Sequence, residues 1–162
     1  MSKFSRDLIE YSGIERYDYD ECPIEYSKNF KQSNIDLEFC VPSQKPDIEQ
    51  IVKVDVSKKI YKTKLIKTPK GTSKEGQIMT GYKLFVMGEI IVKIRYVADE
   101  TEQSMHTFHA CIPFCDYIVL GDGICSIDAL VPKVIIEDVF IEQRDGRCIF
   151  SNLNILLVVE TC

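Results

Sequence analysis

The chain has 162 residues, 45% of them hydrophobic, which suits one domain with a core of its own, and it carries a net charge of −5 at a pI of about 5.1. This balance argues against a nucleic-acid partner, whose phosphates call for a clustered basic face. No apolar run reaches the eighteen or so residues of a membrane helix, and the opening MSKFSRDLIEYSG lacks the apolar centre of a secretion signal; no membrane insertion is expected, and the expected locale is the cytoplasm of the producing cell.

Residues 1–33 read as an irregular N-terminal arm. Residues 7–14 suit one helical turn or a short strand that Gly13 stops, and ERYDYDECPIEYSKNFKQSN then mixes charge with Tyr17, Tyr19, Tyr26 and Phe30 without a sustained period. Aromatic residues scattered in this way pin an arm onto its own domain or dock it onto the next subunit.

A β domain is expected over residues 34–162. Ile35, Leu37, Phe39 and Val41 alternate along a short strand that Pro42 and Pro46 break. Residues 48–66 form the next strand, with Val52, Val54 and Val56 inward against Lys53, Asp55 and Ser57 outward. TPKGTSKEGQ is a turn-rich loop, and residues 82–98 return from it as the spine of the domain. Every even position of that spine except Gly88 is apolar or aromatic, from Tyr82 through Leu84, Val86, Ile90, Val92, Ile94 and Tyr96 to Ala98. One parity is one face of a strand, so this describes an unbroken buried face. At roughly 3.3 Å per residue the spine would span about 55 Å, and Gly88 is the expected place for it to bend or bulge from one sheet into another. The similar lengths on either side of the loop point to an antiparallel hairpin. The lysines of residues 58–74, interleaved with Ile60, Tyr61, Leu65 and Ile66, read as its solvated side.

ADETEQ (98–103) is an acidic turn. Residues 104–120 are extended, and Pro113 places that strand at an edge or a kink. Residues 121–132 are loop. The strand over 134–143 is apolar at Val139 and Ile141 on one parity and at Val134, Ile136 and Phe140 on the other. Asp145-Gly146 marks a hairpin, and Ile149, Leu153, Ile155, Leu157 and Val159 share one face of the closing strand. The fold class is therefore all-β: an all-antiparallel β-sandwich or partly closed barrel with long hairpins.

Seven cysteines are present, Cys22, Cys40, Cys111, Cys115, Cys125, Cys148 and Cys162, and an odd number leaves at least one thiol without an intrachain partner. A reducing cytosol keeps thiols free during assembly, and an oxidising exterior crosslinks them later. Cys22 in the arm, Cys125 in the loop and Cys162 at the end are the candidates for intermolecular bonds. His106, His109, Cys111 and Cys115 are the one cluster of metal-ligand types, but parity sets His106 opposite the other three, and the spacing matches no zinc motif. The carboxylates of Asp99, Glu100 and Glu102, and of Glu137 and Asp138, read as solvated charge. No nucleophile elbow, thiol-protease signature or phosphate cradle is present, so no enzyme, cofactor or metal is expected. Phe85, Met87 and Ile91, outward on the spine, suit either a second covering layer or a contact surface.

Three stretches together resemble a known family. They are VPSQKPDIEQIVKVDV (41–56), the hairpin from Gly71 to Phe114 with its YVAD turn and IPF strand, and VIIEDVFIEQRDGRCIFSNLNILLVVE (134–160). They are similar to the SPOCS domain of spore-coat-associated proteins from endospore-forming anaerobes, some of which accompany insecticidal toxin genes. The resemblance covers residues 34–162, and the DLIEYSGI segment resembles the opening of short single-domain members. Coat-morphogenesis members carry a LysM module that this chain lacks, so peptidoglycan binding through it does not transfer. The resemblance implies a structural or interaction role in sporulation and offers no catalytic residues. The leading expectation is a self-assembling coat, exosporium or appendage subunit, made in the mother-cell cytoplasm and placed on the spore surface. Its partners would be copies of itself and other spore-coat proteins. A soluble module recognising a coat protein or glycan, and a toxin-associated accessory protein, are the alternatives.

Overall fold

The computed structural model of the chain describes residues 4–15, 29–123 and 126–161. Among them run eight strands: β1 Phe4–Arg6, β2 Ile9–Ser12, β3 Phe30–Cys40, β4 Ile48–Thr72, β5 Ile78–Ala98, β6 Met105–Val119, β7 Leu130–Gln143 and β8 Cys148–Thr161, with a single 3-10 turn at Ile127–Ala129. They form a five-stranded sheet in the order β1-β2-β4-β5-β6 and a three-stranded sheet in the order β3-β8-β7. The architecture is a β-sandwich, and its two sheets do not close into a barrel.

The spine behaves as its parity dictates. Leu84, Val86, Ile90, Val92, Ile94, Tyr96 and Ala98 of β5 are fully buried, and they meet Ile149, Leu153, Ile155, Leu157 and Val159 of β8 in one core. Burying aliphatic and aromatic side chains of this size stabilises the fold by about 1.5–3 kcal/mol each.

Gly88 does not carry β5 from one sheet to another; β5 stays in one sheet along its whole length. A Cβ on Gly88 would stand 2.2 Å from the Lys59 carbonyl oxygen and 2.8 Å from the Phe114 ring, so the glycine is there for close approach. The bulges lie instead in β4, with register shifts at Ile48/Gln50, Ile51/Lys53, Ile60/Lys62 and Lys67/Lys70. One of them takes Val52 out of step, so Ile51 is buried in its place. A shift at Ile136/Asp138 in β7 likewise explains its split parity: Val134 and Ile136 face the core before it, Val139 and Ile141 after it.

The sheets are not purely antiparallel, and residues 4–15 are not irregular. β1 and β2 form a hairpin through Asp7 and Leu8, both at positive φ, as a two-residue turn of the tight type requires. β2 then pairs in parallel with residues 53–55 of β4. Ile9, Tyr11 and Ile14 enter the main core, which is what fixes this segment to the domain. Gly13, at φ +90°, passes so close to β4 that a Cβ would meet the Val56 carbonyl oxygen. The backbone N–H of Glu15 donates to the Ile136 carbonyl at 2.9 Å, and Ile141 N–H donates to the Tyr11 hydroxyl at 3.3 Å, joining the sheets along one side. Along the other side Lys31 and Ser33 of β3 hydrogen-bond Asp116 of β6, and Phe39 meets Phe108 edge-to-face at 6.2 Å. β3 itself begins at Phe30, upstream of the expected boundary at residue 34.

Candidate functional site

With the even positions of β5 committed to the core, its odd positions form the outer face of the large sheet. The ladder sets three neighbours side by side in successive rows: Lys64, Phe85 and Tyr117; Lys62, Met87 and Cys115; Lys59, Glu89 and Pro113; Ser57, Ile91 and Cys111. Phe85, Met87 and Ile91 are half-buried, and the small sheet lies on the opposite face. The result is an apolar stripe with lysines along one border. Phe85 and Tyr117 pack at a centroid distance of 5.9 Å, and Lys83 Nζ lies 5.0 Å and 4.7 Å from their ring centres. Lys31 Nζ sits 4.1 Å over Tyr117. Ammonium groups over aromatic faces hold both partners in place at the surface.

Tyr61, the extra residue of the Ile60/Lys62 bulge, lies on this face and is 55% exposed. Its hydroxyl hydrogen-bonds Glu89, and this bond, with desolvation and the nearby charges of Glu89 and Cys111, pushes the phenol up to about 12. It therefore stays a neutral donor at any physiological pH.

Two free thiols, Cys111 and Cys115, are exposed on the same face. Four residues of strand separate them by about 13 Å, too far for a mutual disulfide, which needs Cα atoms within about 7 Å. Each is open to a thiol from outside. Only the position of β6 beside β5 brings them to the stripe.

Cys40 and Cys148 face one another across the β3–β8 ladder and form a disulfide, with Cα atoms 4.1 Å apart. Cys22, Cys125 and Cys162, expected to crosslink, and Tyr17, Tyr19 and Tyr26, expected to make contacts, lie outside the described residues. His106 stacks on Tyr96 at 5.8 Å and its Nε2 is 3.0 Å from the Ser104 hydroxyl, while His109, Cys111 and Cys115 are exposed on the outer side, as parity requires. Among the described residues no three His, Cys, Asp or Glu side chains stand together as a metal site would need. No helix among them is long and apolar enough to cross a membrane.

One end of the sandwich is a knot of turns. Arg147 donates to the carbonyls of Val41, Pro42 and Lys45 at 3.1–3.3 Å and pairs with Asp47. The Tyr96 hydroxyl donates to the Pro46 carbonyl at 2.8 Å, and Asp99 N–H to the Asp47 carbonyl at 2.9 Å. Asp145 accepts from the N–H groups of Arg147 and Cys148, which hold its carboxyl below the usual range. Glu49, Asp99, Glu100 and Glu102 are exposed around this knot, with Glu49 accepting from Gln103.

Residues 47–143 match the family model described as SipL, SPOCS domain. No curated protein and no solved structure matches the chain.

Proposed function

This chain belongs to the SPOCS-domain family of sporulation-related proteins, and from that premise we propose that it is a non-enzymatic structural protein of the spore surface that assembles with copies of itself. The observation that carries this reading is the outer face of the large sheet. There an apolar stripe of Phe85, Met87, Ile91, Pro113 and Tyr117 lies beside two exposed free thiols. Half-exposed apolar side chains with a polar border are the composition of a contact surface. Thiols beside it let contacts made in a reducing cytosol become covalent on the oxidising exterior of the spore. Other spore-coat proteins would use the same face.

The test is electron microscopy of negatively stained protein together with gel electrophoresis, each with and without reductant. Large assemblies that survive boiling in SDS and disperse only with reductant are expected. Replacing Cys111 and Cys115 by serine should remove much of the covalent ladder while leaving the noncovalent contact. Protein that stays monomeric at all concentrations under oxidising conditions would reject the reading.

A further inference from the structure

Charge is distributed along this molecule very unevenly. Residues 57–77 hold seven of the chain's 20 basic residues, Lys58, Lys59, Lys62, Lys64, Lys67, Lys70 and Lys74, and only Glu75 of its 25 acidic ones. All seven lysines are exposed. Lys58 is paired with Glu15, and Lys59 lies over the Tyr61 ring; the five from Lys62 to Lys74 have no ion-pair partner among the described residues. β2 covers the outer edge of β4 only at residues 53–55, and no described strand pairs with that edge from Ser57 to Thr72. Beyond the pair Lys67↔Tyr82, β4 and β5 also run past the end of β6 and form a two-stranded ribbon.

The opposite end of the same two strands is acidic. Glu49 opens β4, and Asp99, Glu100 and Glu102 lie in the turn that closes β5. About 60 Å of strand separates Glu49 from Lys67, well over the Debye length of about 8 Å, so the two poles do not neutralise one another within one molecule.

An unpaired strand edge invites pairing with another edge. Lysines along it repel a second, identical edge, so they exclude the two-fold contact in which β4 meets β4. They leave open, and favour, an acidic surface. We infer that the lysine-bearing ribbon of one copy docks onto the acidic turn end of the next, so that copies add head to tail. Such a contact is heterologous; unless its rotation closes a ring it generates an open filament. This rests on the self-assembly proposed above and adds a contact between strand ends to the one on the outer face.

The experiment uses two charge-reversed full-length chains and measures the lowest concentration at which assemblies form, by light scattering and microscopy. One carries Lys67→Glu, Lys70→Glu and Lys74→Glu; the other carries Glu49→Lys, Glu100→Lys and Glu102→Lys. The altered side chains are exposed, and thermal melting checks that each variant folds. Each alone should need about tenfold or more protein to assemble, because like charges now face one another. Mixed in equal amounts they should assemble again as an alternating copolymer, since each supplies the sign the other lacks. Raising the salt concentration should disperse wild type before the covalent bonds form. If both variants assemble like wild type, or the mixture fails to recover, the head-to-tail docking is wrong while self-assembly stands. If wild type itself never assembles, both fall.

Discussion

Breaking the Cys40–Cys148 bond perturbs the unfolded chain far more than the folded one. The two residues are 108 apart in sequence yet are direct partners in an eleven-pair ladder between β3 and β8. Removing the bond leaves that ladder intact and releases a loop of this length in the denatured state. The chain-entropy relation for a loop of 108 residues gives about 4.8 kcal/mol at 25 °C, and measured disulfides more often contribute about 2–4 kcal/mol. In a domain of this size each kcal/mol moves the melting temperature by about 2–4 °C, so a loss of about 5–15 °C is expected on reduction. Calorimetry with and without a phosphine reductant measures it, and the Cys40→Ser/Cys148→Ser variant should melt where the reduced wild type does. Replacing Cys111 and Cys115 should leave the melting temperature unchanged. A thiol titration of the unfolded, unreduced chain should find no more than five of the seven cysteines. Reduction that shifts melting by less than about 2 °C would refute the loop-closure reasoning.

Gly88→Ala forces a methyl group against the Lys59 carbonyl, which no side-chain rotation relieves, and should destabilise by about 3 kcal/mol in chemical denaturation; adding Phe114→Leu should recover only part of that. Arg147→Lys should loosen the turn knot, since an ammonium replaces a planar fork that reaches Val41, Pro42 and Lys45 together, and hydrogen exchange of Ile48 N–H, which donates to the Gly146 carbonyl, should accelerate. Burial alone would raise the Asp116 carboxyl, but hydrogen bonds from Lys31, Ser33 and the Tyr117 N–H hold it below the usual range. A depressed carboxyl contributes stability above its unfolded pKa of about 3.9 and loses it as pH falls through the folded value, so wild type should weaken below about pH 4, and Asp116→Asn should flatten that acid limb. An unchanged limb would remove Asp116 as a cause. Spectrophotometric titration should find a phenol near 12 that disappears in Tyr61→Phe.

The parts of the fold legible in the sequence are those whose faces are fully committed. β5 and β8 bury one parity from end to end, so their alternation survives in the residue string. β3 and β4 run beyond the stretches that composition marks because their ends are polar: Lys31, Gln32 and Asn34 pair through the backbone, which composition does not reveal. β7 begins earlier than expected, at Leu130, because Pro132 reads as loop in the sequence yet stands inside the strand. Parity also failed at Val52 and Glu137, where a bulge shifts the register by one and sends the following side chains to the other face. The parallel partnership of β2 with β4 leaves no local signal, because nothing in Ile9–Ser12 says which strand it will meet. For the same reason the Cys40–Cys148 pair was not readable: it depends on the β3–β8 register. Phe85, Met87 and Ile91 were visible as outward positions of β5, but their companions Cys111, Cys115 and Tyr117 required knowing that β6 lies beside it.

The three stretches that carry the family resemblance meet at one place. The prolines and carbonyls of VPSQKPD, the YVAD turn and the RDGR loop are the partners in the Arg147 knot. Proline offers no N–H, and carbonyls in such a turn have no ladder to join, so each needs a donor from elsewhere in the chain. Arg147, Tyr96 and Asp99 supply those donors, and few other side chains reach so many acceptors from one point. The recognisable pattern is therefore set by how one end of the sandwich is closed. The outer face and the β4 edge have no such demand on them, and in the assembly proposed above their side chains are free to serve contacts outside the molecule. Lysines on that edge cost the fold nothing and deny it a symmetric partner. This is why charge reversal there should change how copies associate while leaving the melting temperature where it was.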